Sequence, residues 1–166
     1  MSATDTFEDS LDGLAVGTTR LSPEAFEETV AEAIDEPAIG TPLGIEGLSL
    51  DGTSVVTDPT PNQLTEATTG VTGASLGIAD YGSVVLPSTP EGAEPVSLFC
   101  DLHVVVLDAD DIVPDMPTAI GEMATTVGDD RGSAIIATGP SATADMGALV
   151  RGAHGPKRVH ALIVEQ

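Results

Sequence analysis

Leu102-His103-Val104-Val105-Val106-Leu107 is the stretch that most limits what this chain can become. It has no formal charge and three valines in a row, so it reads as a strand buried on both faces. Such strands belong to parallel sheets with a cover on each side. Val159-His160-Ala161-Leu162-Ile163-Val164 and Ser133-Ala134-Ile135-Ile136-Ala137-Thr138 repeat the pattern. Between them in the chain, Met116 to Val127 follows Pro114 and sets Ile120, Met123, Ala124 and Val127 on one helical face. Buried strands alternating with helices predict an α/β fold, a mostly parallel sheet with helices on both faces.

The first half adds shorter elements. Leu14, Val16 and Thr18 alternate as in a strand, and Ser22-Pro23-Glu24 opens a helix that carries Phe26, Val30, Ala33 and Ile34 at helical spacing. Pro37 to Gly40 and Thr53 to Thr57 are short strands, and Pro61 to Ala67 is one or two helical turns. In residues 70–88, Ala79-Asp80-Tyr81-Gly82 separates two β-forming runs, which predicts one antiparallel hairpin. Residues 43–53 carry no readable element. Residues 1–13 are polar and expected to be frayed, leaving 14–166 as a single domain.

Composition narrows the functional classes. The formal charge is −22, with acids scattered singly and in pairs through apolar segments rather than in blocks. That is the balance of a halophilic protein, whose charge keeps it soluble, and it excludes a surface built for nucleic acid phosphates. In molar salt the screening length falls to about 3 Å, so an anion site must work by contact. The single Cys100 leaves no internal disulfide and cannot alone hold an iron–sulfur cluster. The start of the chain has no leader-like apolar core, and no run approaches a membrane span, so the expected location is cytoplasmic.

Charge is also uneven along the chain. Residues 1–130 hold 25 acids against Arg20 alone, whereas 131–166 hold Asp145 and Glu165 against Arg131, Arg151, Lys157 and Arg158. Bases that persist in so acidic a chain are candidates for partners, structural or ligand. Among them lies Thr138-Gly139-Pro140-Ser141-Ala142-Thr143-Ala144-Asp145, read as the joint between a buried strand and a helix. In open α/β sheets ligands sit at such joints. Gly139 permits a sharp turn, Ser141 or Thr143 can cap, Asp145 suits the first turn, and free helix-start amides favour an anion. Taken alone, these residues are better accounted for by plain helix capping through Ser141 or Thr143 and Asp145. Arg151-Gly152 reads as an ordinary helix end. His154, framed by Gly155-Pro156, is held on a rigid turn where it could move a proton or simply face solvent. His103 beside Asp101 lacks a third ligand nearby and reads as a hydrogen-bonded core histidine, so no metal site is expected.

Three motifs together resemble the LUD-domain family. They are V-T-G-A followed by G-I-A-x-x-G-S-V-V-L from Gly70 to Leu86, D-x-H-V from Asp101, and G-P-S-x-T-A-D with H-G-P-K-R from Gly139 to Arg158. The resemblance covers residues 70–166 well and the first 50 in order of elements. It implies a NagB/RpiA/CoA-transferase-like fold. It also implies a part in oxidising lactate to pyruvate beside separate partner proteins that carry iron–sulfur clusters, with no cofactor in this chain.

The ligand expected on this reading is a small carboxylate or phosphate-like anion. Its pocket would comprise Gly139, Ser141, Thr143, Asp145, Gly155, Lys157 and Arg158, with Thr72, Gly73 and Asp80 from the hairpin region and His154 as the catalytic candidate. A hydrolase or isomerase acting on a phosphosugar or CoA thioester, and a purely structural assembly protein, are the alternatives.

Overall fold

The computed structural model describes residues 1–129, 132–145, 148–151 and 154–166. The apolar run forms β7 (Leu102–Asp108). Beside it stand β12 (Arg158–Val164) and β1 (Gly17–Leu21) on one side. On the other are β4 (Thr69–Gly73), β2 (Ala38–Gly40) and β3 (Val56–Thr57), giving the order β1-β12-β7-β4-β2-β3. Every pairing in this sheet is parallel.

Alternation along β7 sends side chains to two cores. Val104 and Val106 join Val71, Leu162 and Val164 against Phe26 and Val30 of α2 (Phe26–Ala33). Leu43, Leu50 and Val55 seal that face. The stretch 43–53 is therefore an irregular plug whose few apolar residues all point inward, which hides any period from the sequence. Val105 and Leu107 point the other way, with Ala161 and Ile163.

The cover on this second face is a second sheet of order β8-β5-β6-β9. Its hairpin, β5 (Leu76–Ile78) with β6 (Ser83–Pro87), is antiparallel, and β8 (Ile112–Val113) and β9 (Ala134–Thr138) flank it. The turn Ala79–Tyr81 ends at Gly82 with φ of 61°, a left-handed conformation that glycine adopts without a Cβ penalty. Residues 116–127 were expected as a helix, and α5 (Met116–Asp129) is there, with Ala119 and Met123 against the outer side of this sheet. The shorter α3 (Pro61–Glu66), capped by Thr60 and Gln63, and α4 (Ala93–Phe99) lead into β4 and β7.

Three expectations are corrected. Residues 1–13 are not frayed but form α1 (Ala3–Gly13), opened by a Ser2–Asp5 capping box. Phe7 and Leu11, four apart on one face, are fully buried on the second core. Arg20 of β1 holds the helix from outside, reaching Asp5 at 2.7 Å, Glu8 at 2.6 Å and Glu165 at 3.4 Å. The Arg20 guanidinium, with the Ser2 amide and hydroxyl, holds the Asp5 carboxyl well below the usual carboxylate range.

The second correction is that β9 is not a buried strand of the parallel sheet. It pairs antiparallel with β6 at an edge and is only partly covered, Ile136 being 40% exposed. Third, the helix expected after Gly139 is replaced by a hairpin of β10 (Ala142–Asp145) and β11 (Ala148–Arg151). The Ala, Met and Leu of this stretch read as helical, but Gly147 in its middle costs a helix about 1 kcal/mol and Thr143 and Val150 favour strands. Arg151 is thus in a strand and not at a helix end.

The burial of Phe7 yields a direct expectation. Phe7→Ala lowers unfolding free energy by about 3–5 kcal/mol, read by urea titration, whereas Phe99→Ala, at an exposed position, changes it by less than about 0.5 kcal/mol.

Candidate functional site

Where the two sheets face each other they leave a cleft of about 360 Å³. Its floor is the amino-terminal half of the central strands, His103 and Val105 of β7 with Val159 and Ala161 of β12. Val84 and Leu86 of β6 and Ile135 and Ala137 of β9 form the facing wall, and Leu11 and Val16 close one end. Gly139-Pro140-Ser141 and His154-Gly155-Pro156 make the rim. The cleft therefore lies toward the starts of the parallel strands, not their carboxyl ends. The reason is topological: Thr138, which leads into the rim, ends a strand of the second sheet.

The rim is a locked pair of turns. The Ser141 amide donates to the Pro156 carbonyl at 2.8 Å, and the His154 amide donates to Ser141 Oγ at 3.3 Å. Gly155 passes so close that a Cβ there would stand 3.2 Å from the Ser141 Cβ. Gly139 has φ of 67° and lets the chain turn over Leu14. The G-P-S and H-G-P motifs thus meet through hydrogen bonds of their own, with the exposed His154 side chain at the mouth.

His103 is the polar group of the floor. It is 2% exposed, and Thr72 Oγ1 lies 2.7 Å from its Nε2. Burial lowers its pKa to about 4, so the imidazole is neutral near pH 7. The other hydroxyls beside the cleft interior are already engaged. Ser97 donates to the Glu94 carbonyl at 2.7 Å, and Thr138 pairs with Ser83 at 2.6 Å.

Of the residues expected to form the site, Gly139, Ser141, His154 and Gly155 line the cleft, and Thr72 stands behind it on His103. Others do not converge. Gly73 abuts the Leu43 carbonyl. Asp80 is exposed in the hairpin turn, its amide donating to the Pro114 carbonyl.

The two cations also face elsewhere. Lys157 pairs with Asp101 at 3.2 Å and Arg158 with Asp35 at 2.8 Å, while both main-chain amides donate to the Asp101 carbonyl. No Lys or Arg lines the cleft among the described side chains. Thr143 and Asp145 belong to β10, and their side chains lie outside the described ones. The described residues 142–145 and 148–151 are strands, so the helix start expected there to offer its amides to an anion is not formed among them.

Leu11, Val16 and Leu98 were missed. Leu11 sits on a helix the polar composition of residues 1–13 concealed, and Leu98 near the end of a short helix that the apolar run 96–107 absorbed. Half-buried His160, 2.9 Å from Thr19 Oγ1, has its pKa lowered by burial and stands outside the cleft. Among the described residues no group of three or more His, Cys, Asp and Glu is placed to hold a metal ion. No described helix is long and apolar enough to cross a membrane.

Residues 13–164 match the LUD domain. The chain belongs to the LUD-domain family. Among its relatives is lactate utilization protein C of Deinococcus radiodurans, 28% identical over 165 residues, covering 95% of this chain and 77% of that protein. Lactate utilization protein C of Bacillus licheniformis is 36% identical over 104 residues, 60% of this chain and 43% of that one. The uncharacterized protein YkgG of Escherichia coli is 33% identical over 133 residues, 74% and 58% of the two chains. A crystal structure of a DUF162 family protein from Deinococcus radiodurans superposes with a TM-score of 0.75 over 99% of both chains at 22% identity. The LUD fold of this chain is thus the α/β arrangement with a mostly parallel sheet.

The neutral His103 sets a pH dependence. Its proton is bound more tightly in the unfolded chain, near the ordinary value of 6.5, than in the fold, near 4. This contribution to stability is complete above about pH 6.5 and is lost as pH falls toward about 4. Urea midpoints measured at about pH 7.5 and about pH 5 should drop further for the wild type than for His103→Gln, since the carboxylates are common to both.

Proposed function

We propose that this LUD-domain chain is a component without a redox centre of its own in the oxidation of lactate to pyruvate. It acts beside partner proteins that carry iron–sulfur clusters and takes its ligand in the cleft between the sheets. The observation that carries this is the coincidence of two things. A protein named lactate utilization protein C matches 95% of the chain, and both rim motifs of the family resemblance meet at one cavity. A cavity of this size with apolar walls and a few polar groups is the ordinary form of a small-molecule site.

The carboxylate or phosphate-like end of the ligand is assigned to the rim. There Ser141 and His154 stand at the mouth, while Lys157 and Arg158 are held by Asp101 and Asp35. His154 would hold or move a proton at that end, and Ser141 would keep the His154 turn in place. The NagB/RpiA/CoA-transferase-like fold that the family resemblance implies is part of this proposal and carries no catalytic role by itself.

The test is genetic and biochemical. Deleting the gene from its host should stop growth on lactate as sole carbon source while leaving growth on pyruvate intact. The wild-type gene should restore it, and Ser141→Ala with His154→Ala should restore it poorly. Tagged chain should copurify with proteins showing the visible absorption of iron–sulfur clusters. Normal growth of the deletion strain on lactate sinks the proposal. Full rescue by the double variant removes the rim from it.

A further inference from the structure

Behind the rim the cleft changes character. Leu86, Val105, Ile135, Ala137 and Ala161 surround the space, and no described charged side chain enters it. His103 is the exception among apolar neighbours, and its hydrogen bonding shows which face it offers. Thr72 is fully buried, and its hydroxyl hydrogen needs an acceptor. Among the described residues the partner of Thr72 Oγ1 is His103 Nε2. The hydroxyl therefore donates to Nε2, which places the imidazole proton on Nδ1. No described group accepts from Nδ1, although the ring is buried and lines the cavity.

Nδ1 is not among the fully enclosed described atoms left without a partner, so it borders the cavity, and such an N–H is set to receive an acceptor atom from whatever fills the space. We infer that the interior of the cleft binds an uncharged, largely apolar group carrying a carbonyl oxygen, which accepts a hydrogen bond from His103 Nδ1–H while Thr72 fixes the tautomer. This rests on the reading of the cleft as the ligand site and names the part of the ligand that passes the rim. A neutral donor also suits a chain of net charge −22, because an uncharged group enters without repulsion at any salt concentration. Thr72 is a positioning residue here; His103 makes the contact.

The test uses two probes of similar shape, acetophenone and ethylbenzene, titrated against the full isotope-labelled chain and followed by NMR, with lactate as a third. The expected result is saturable shifts of the amides around His103, Val105 and Ala161, with acetophenone bound roughly tenfold more tightly than ethylbenzene. That preference should disappear in His103→Phe and in Thr72→Val, return in Thr72→Ser, and stay unchanged between low and high salt. Should His103→Phe not fold, the Thr72 pair of variants reads the same effect.

Equal affinity for the two probes, or a preference that survives in Thr72→Val, overturns the inference. Lactate shifting Ser141 and His154 while neither aromatic probe shifts the floor overturns it and leaves the cleft as the ligand site. No shift with any of the three overturns both.

Discussion

Burying both faces of one strand is the demand from which the remaining structure follows. β7 has Val104 and Val106 on one side and Val105 and Leu107 on the other, all essentially inaccessible to water. Two covers are needed, and this chain makes them from different materials. A helix and an irregular plug close one face down to the packing of an ordinary core. The other face receives a whole second sheet, braced by α1, and two sheets meeting through side chains of uneven length do not close everywhere. The gap falls over His103, where the parallel sheet begins and the two rim turns cross.

The acidic surface and the few bases are part of the same economy. Arg20, Lys157 and Arg158 each sit against carboxylates that join segments far apart in sequence. Exposed pairs of this kind contribute little individually, and salt weakens them further. Their placement is informative in another way. Arg20 ties α1 to the first and last strands, and Lys157 and Arg158 anchor the exit of the rim loop to the start of β7 and the end of α2's connection. Positive charge near a cavity is thus spent on holding its frame.

Legibility in the sequence followed how strongly burial patterns a segment. β7 and β12 announced themselves because both faces are covered, and the β5–β6 hairpin because its glycine must adopt a left-handed conformation. β9 carries a continuous apolar run like that of β12, so composition could not tell an edge strand of a second sheet from a central strand of the first. α1 has only Phe7 and Leu11 to mark its buried face, and acids on every other side hid it.

At the site, Gly139, Ser141, His154 and Gly155 were legible as two motifs, because tight turns demand their residue types. The hairpin after Ser141 was not. Its residues cap and propagate a helix about as readily as they pair, and tertiary placement decided. Lys157 and Arg158 misled because a base in an acidic chain has two explanations, and sequence does not show which carboxylate lies opposite.

The His103–Thr72 pair has a consequence for how the protein would change under selection. A hydrogen bond buried in the midst of valines contributes less than well-packed apolar side chains of equal size, so exchanging both partners together would tend to stabilise the fold. A population selected for heat resistance alone would drift toward Leu or Met at 103 and Val at 72, filling the cleft floor as it did so. Persistence of the pair under such selection would measure how much the interior of the cleft matters to the cell.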